Sequence, residues 1–221
     1  MLGTDLLAWL SRLPPEARDA AVEAYFGIEG GAASSPPGDH LIGYHASGIA
    51  PIVRALMEVP IVPEDVVVDL GAGLGKVVLL TRLLTGATVR GLELQPALVE
   101  RARAAAARLQ IEVCFTQGDA RDSALEDGTV FFLYAPFTGP VLGDVGRRLH
   151  GVAQRHAIVV CALGIDFDPD ERWLVARQLD SFWLTIYDSV VPGVTPRSPR
   201  TPFLPREQAS AIALERSLVP R

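Results

Sequence analysis

The sequence predicts an α/β fold: a mostly parallel sheet with helices on both faces, closed by antiparallel pairing at its C-terminal end. Three observations carry this. Short apolar, strand-like runs recur at residues 66–70, 88–94, 112–117, 129–134 and 156–162. Helical segments at 76–84, 96–109 and 139–150 separate them. After Ala162 the alternation stops, and residues 173–179 and 182–190 read as two successive strands joined by a short turn. Near-continuous apolar runs belong to strands buried on both faces, which crossover helices produce, whereas a short turn permits antiparallel pairing.

The remaining elements follow in order. Residues 4–27 read as helical, with Thr4 as a cap and an apolar face of Leu6, Leu7, Trp9, Leu10 and Leu13. Pro14 and Pro15 break this helix before it resumes over 16–26. Residues 30–38, small and proline-rich, form a loop, and a further helix spans 49–57. Pro96 suits the first turn of the Ala-rich helix that follows the second strand. The prolines of 192–205, with Arg197 and Arg200, predict an extended tail, followed by a short helix at 207–214. The chain therefore divides into an N-terminal helical cap or lid (1–57), a ligand-binding domain (58–191) and a Pro-rich tail (192–221).

Composition bounds the function. The 221 residues are 49% hydrophobic and 21% charged, enough for a sizeable core and unlike a disordered chain. A net charge of -6 argues against a broad phosphate-binding surface, so no nucleic-acid partner is expected. The start carries Asp5 and no basic segment, and no apolar run reaches bilayer length, so a cytoplasmic protein without a membrane partner is expected. Cys114 and Cys161 lie in strand-like runs and read as small buried residues in a reducing compartment. His40 and His45 lack a partner Cys or acidic cluster, so no metal site is expected.

The chemistry concentrates at strand ends. Asp69-Leu70-Gly71-Ala72-Gly73-Leu74-Gly75 lies between a buried strand and a helix, the context in which a glycine loop binds a nucleotide-like ligand. Glycines permit the turn and a close ligand, and the helix start offers free N–H groups to a carboxylate. Dinucleotide folds use G-x-G-x-x-G; here the spacing is G-x-G-x-G, and Asp69 would repel a pyrophosphate while suiting an ammonium group. Glu93, followed by Leu94, ends the second strand, where a carboxylate can accept from two ribose hydroxyls or cap the following helix. Gly118-Asp119-Ala120 ends the third, and Tyr134-Ala135-Pro136-Phe137 ends the fourth. Upstream, Tyr44 and Ser47 precede a helix that Ser47 could also cap.

This assembly resembles class I methyltransferases dependent on S-adenosyl-L-methionine (SAM), which have a Rossmann-like seven-strand sheet and release S-adenosyl-L-homocysteine. The resemblance implies that Asp69 contacts the methionine part of SAM and that Gly71, Ala72, Gly73 and Gly75 form the loop beneath it. It implies that Glu93 and Leu94 hold the ribose, Gly118, Asp119 and Ala120 the adenine, and Tyr44 and Ser47 the methionine end. Tyr134 then faces the sulfonium methyl as the catalytic candidate, with Pro136 and Phe137 lining the acceptor channel. Where nucleobase and amide methyltransferases carry Asp or Asn, this chain has Tyr134. Between Tyr44 and Asp188 the chain is similar to lysine methyltransferases that lack a SET domain, of the histone-lysine and ATP synthase c-subunit types. The acceptor so implied is an amine, a protein lysine among them. A small-molecule N- or O-methyltransferase and a non-catalytic SAM-binding domain stand as alternatives.

Overall fold

The computed structural model describes residues 2–30, 38–168, 170–198, 200–201 and 204–213. Five apolar runs form the strands β1 (Val66–Leu70), β2 (Thr88–Glu93), β3 (Cys114–Gln117), β4 (Val130–Tyr134) and β5 (Val159–Leu163). The central strands are uninterruptedly apolar because successive residues feed two cores. Val67, Phe132 and Cys161 enter one cluster, and Val68, Phe131, Leu133 and Val160 enter the other. On the first face lie α4 (Lys76–Thr85) and α5 (Pro96–Leu109); α6 (Gly139–Ala153) covers the second.

Two further strands, β6 (Leu174–Ala176) and β7 (Leu184–Ser189), complete a seven-stranded sheet of order β3-β2-β1-β4-β5-β7-β6. β7 runs antiparallel to both β5 and β6, and the other pairings are parallel. This is the seven-strand Rossmann-like architecture that the resemblance implies. The chain moves outward from β1 to β2 and β3, then returns to place β4 on the other side of β1. That reversal opens a crevice at the carboxyl ends of β1 and β4, where ligands bind in such sheets.

Local differences from the sequence reading have physical causes. The segment 4–27 is two helices, α1 (Gly3–Arg12) and α2 (Arg18–Phe26), joined through a 3-10 turn at Pro15–Ala17. Thr4 lies inside α1, whose N-cap is Leu2, so its hydroxyl caps nothing. Ser47 caps nothing either: Gly48 is the N-cap of α3 (Ile49–Glu58), and the side chain that accepts from the first helical amide, that of Ile49, is Asp19 rather than Ser47. Cys161 is buried, but Cys114 is exposed, because β3 is an edge strand with only Phe115 turned inward. Most of the 30–38 loop, and Leu214 of the last helix, lie outside the described residues. No helix among the described residues is long and apolar enough to cross a membrane.

The N-terminal helices share the main core: Leu6, Leu7, Leu10, Val22 and Phe26 are fully buried in one cluster with Leu79 and Leu80 of α4. The two ends of the chain meet where buried Arg18 donates to the carbonyls of Leu10 and Leu13 and to that of Ile212 in α7 (Arg206–Ala213). The tail is pinned beneath the sheet. Asp65, its side chain 3% exposed, accepts from Arg197 at 2.6 Å and from Arg200 at 2.7 Å. The Val62 amide and the Thr129 hydroxyl donate to the same carboxylate, each at 2.9 Å. Removing one partner of a buried ion pair leaves the other charge uncompensated. Asp65→Ala is therefore expected to lower stability by about 3–5 kcal/mol, read as the midpoint of urea unfolding.

Candidate active site

A cavity of about 320 Å³ occupies the crevice at the carboxyl ends of β1, β2 and β4. Its floor is the glycine loop after β1. Asp69, Gly71, Ala72 and Gly73 line it, with Glu93 and Leu94 after β2, and Gly118, Asp119 and Ala120 after β3. Tyr44 and Ser47 reach it from the N-terminal side, and Tyr134, Pro136 and Phe137 from the end of β4. Every candidate read from sequence is gathered there except Gly75. Gly75, at φ +82°, is instead the N-cap of α4, and a Cβ on it would lie 2.5 Å from the Phe115 ring. Its work is packing.

Fewer loop amides are free than the helix start suggested. Gly71 and Ala72 both donate to the Leu92 carbonyl at 2.8 Å, and Gly75 donates to Ala72 at 2.7 Å. Gly73 donates to Glu93 Oε2 at 2.8 Å, while Glu93 Oε1 accepts from the Gln95 amide at 2.9 Å. Gln95 is the N-cap residue of α5, so Glu93 braces both loop and helix. Each carboxylate oxygen accepts more than one hydrogen bond, so Glu93 retains capacity for a diol.

Electrostatics divide the cavity. Asp69 is 2% exposed, and burial, then the charge of Glu93, push its carboxyl up to about 8. A buried carboxylate beside a second one calls for a cation, and an ammonium group meets that need. At the far end, the Arg121 guanidinium grips Asp119 at 2.7–3.1 Å and holds its carboxyl below the usual range. Arg121 escapes the sequence reading. The donor set fits SAM: a carboxylate for the ammonium, a carboxylate for the ribose and a polar turn for the adenine.

Residues 67–153 match the methyltransferase domain family. The chain is a SAM-dependent methyltransferase of the class I fold. An RNA methyltransferase from Salinibacter ruber, in complex with S-adenosyl-L-homocysteine, is 28% identical at a TM-score of 0.51, covering 69% of this chain and 98% of its own. Magnesium protoporphyrin IX methyltransferase from Synechocystis PCC 6803, with bound SAM, is 14% identical at a TM-score of 0.44, over 62% of this chain and 75% of its own. No curated protein matches the sequence.

The end of the cavity beside β4 is built by three segments. The turn Tyr134–Phe137 is held by an antiparallel bridge between Leu41 and Phe137, with the Ile42 amide donating to the Pro136 carbonyl at 3.0 Å. Ala135 sits at φ +41°, an uncommon conformation for a residue with a Cβ. Trp183, which the sequence reading puts in a strand, lines the cavity, and its carbonyl accepts from Gly164 at 2.8 Å. Its ring meets Phe182 edge-on, with both rings exposed. Ile42, His45 and Val141 complete this end. These residues lie far apart in sequence, and no local motif marks them.

Proposed function

We propose that the methyltransferase acts on a neutral amine presented through an aromatic channel, and that a protein lysine is the acceptor. The carrying observation is the acceptor end itself: Tyr134, Phe137 and Trp183 surround it, no arginine lines the cavity among the described residues, and the Lys76 ammonium in the lining is engaged by Glu23 and the Ser47 carbonyl. Bound SAM supplies an electrophilic methyl on its sulfonium. The protein's part is alignment and exclusion of water. A lysine, with a free pKa of about 10.4, must shed its proton before attack, and an apolar channel favours that neutral form. In this reading the Tyr134 hydroxyl accepts a hydrogen bond from the incoming amine and aims its lone pair at the methyl. Segment 38–48 serves as the inner edge of a lid.

Tyr134→Phe is expected to lower kcat by about 100-fold, the lower range for loss of a positioned polar group, with S-adenosylhomocysteine binding unchanged by calorimetry. Full turnover in that variant would remove Tyr134 from catalysis. RNA is a second reading, favoured by the 28% identity to the Salinibacter ruber RNA methyltransferase. Methyl-labelled SAM, incubated with the enzyme and an extract of cells lacking it, separates the readings. Label in protein, mapped to lysine by mass spectrometry, supports the proposal; label in RNA or in small metabolites overturns it.

A further inference from the structure

Lys76 opens α4 directly after the glycine loop and is the only lysine in a sequence with 20 Lys and Arg residues. Its side chain is 3% exposed. The ammonium donates to Glu23 Oε1 at 2.6 Å and to the Ser47 carbonyl at 2.6 Å, and it reaches Asp19 Oδ1 at 3.4 Å. Three donors thus meet three acceptors, and the hydrogen-bonding capacity of the ammonium is used in full. Acceptors converging on one point suit a compact ammonium; a planar guanidinium fork suits a carboxylate met side-on.

Those acceptors belong to two different parts of the chain. Asp19 and Glu23 lie on α2, outside the cavity lining, and Ser47 lies on the arm leading into α3. Asp19 Oδ1 also accepts from the Ile49 amide at 2.9 Å, tying α2 to the start of α3. Slightly earlier on the arm, the Tyr44 ring lies on the glycine loop: a Cβ on Gly73 would come within 2.7 Å of it. The arm is therefore held to the loop twice, by Tyr44 on Gly73 and by Ser47 on Lys76.

We infer that Lys76 is a positioning residue, a latch that holds the Tyr44–Ser47 arm against the glycine loop and makes cofactor affinity depend on acidic side chains of α2 that never touch the cofactor. The latch rests on the assignment of this cavity to SAM only for its effect on binding; its effect on the arm is independent of any ligand.

Glu23→Gln tests it, because that substitution removes one charge from the latch and leaves the cavity lining intact. The expected result is an S-adenosylhomocysteine Kd about 10-fold weaker by calorimetry, the effect of replacing an ionised acceptor by a neutral one. The KM for SAM rises by a similar factor, with kcat at saturating SAM unchanged. Lys76→Arg is expected to lose as much affinity as Lys76→Met, because charge without the ammonium geometry does not restore the latch. Reductive dimethylation with formaldehyde and cyanoborohydride, read by mass spectrometry at this single lysine, follows the arm directly. Labelling should be about 10-fold faster in Glu23→Gln than in the parent, and should slow in both when S-adenosylhomocysteine is added. Equal labelling rates in parent and variant, or equal affinity for S-adenosylhomocysteine, overturn the latch. A parent protein that binds no S-adenosylhomocysteine overturns the cofactor assignment instead, and the comparison of labelling rates without ligand still decides the latch.

Discussion

Asp69→Asn is expected to stabilise the protein above pH 8 while weakening its hold on the cofactor, two effects of opposite sign from one buried carboxylate. In the folded chain, burial and the neighbouring Glu93 raise Asp69 to about 8. In the unfolded chain it titrates near the ordinary value of about 3.9. Between those values the folded state holds a proton that the unfolded state has released, so this group makes stability fall as pH rises through the window, and the fall levels off above pH 8. At about 1.4 kcal/mol per unit, the full cost is on the order of 5 kcal/mol. Asparagine removes that titration. Chemical unfolding from pH 4 to 9 should show a declining stability in the parent that the variant lacks, and the same decline in both would assign it to another group. Cofactor binding moves the other way. An ammonium beside Asp69 favours the carboxylate, so affinity rises as pH approaches about 8, where Asp69 titrates, and falls again once the ligand's own amino group loses its proton. A bell-shaped pH dependence follows for the parent, with its acid limb set by Asp69 and absent from the variant. Truncating one partner of a buried charge pair costs about 2–5 kcal/mol, so the variant should bind S-adenosylhomocysteine roughly 30-fold to several thousand-fold more weakly.

The parts legible in sequence share one property: their meaning is local. Val66–Leu70 and Val130–Tyr134 read as buried strands because both faces are covered, leaving no polar alternation to confuse the pattern. Asp69, Glu93, Asp119 and Tyr134 can be ordered because each stands at or near the end of such a strand, and parallel strands bring their carboxyl ends together. What stays hidden depends on partners far along the chain. Lys76 meets Asp19 and Glu23 across separations of 57 and 53 residues, so its neighbours carry no sequence signal. Trp183 arrives at the cavity because β7 reverses beside β5, which places the turn before it next to Gly164. Arg121 illustrates a different limit. It is only two residues from Asp119, but whether its guanidinium turns back onto that carboxylate depends on side-chain geometry that spacing does not specify.

The glycine loop also supports a division of labour that substitution can separate. Gly71 has φ +88°, and a Cβ there would lie 2.4 Å from Cβ of Pro136, so alanine brings both backbone strain and a clash. The left-handed conformation costs about 1–2 kcal/mol for a residue with a Cβ, and overpacking adds about 1–3 kcal/mol. The clash is relieved by moving Pro136, and Pro136 carries the wall between Tyr134 and Phe137. The whole turn is held by the Ile42 amide and the Leu41–Phe137 bridge, so it shifts as a unit. A displacement of about 1 Å at a reacting centre can cost on the order of 100-fold in rate. Gly71→Ala is therefore expected to lose stability and, in the molecules that remain folded, to lower kcat by about 100-fold. Gly75→Ala is the matched control. Its φ of +82° imposes similar backbone strain, but its Cβ would press on the Phe115 ring at 2.5 Å, away from the acceptor turn. That variant should lose comparable stability while its folded fraction, quantified by active-site titration with S-adenosylhomocysteine, turns over at nearly the parental rate. A larger loss of kcat in Gly75→Ala than in Gly71→Ala would mean that the acceptor wall is set by the α4 start rather than by the contact of Gly71 with Pro136.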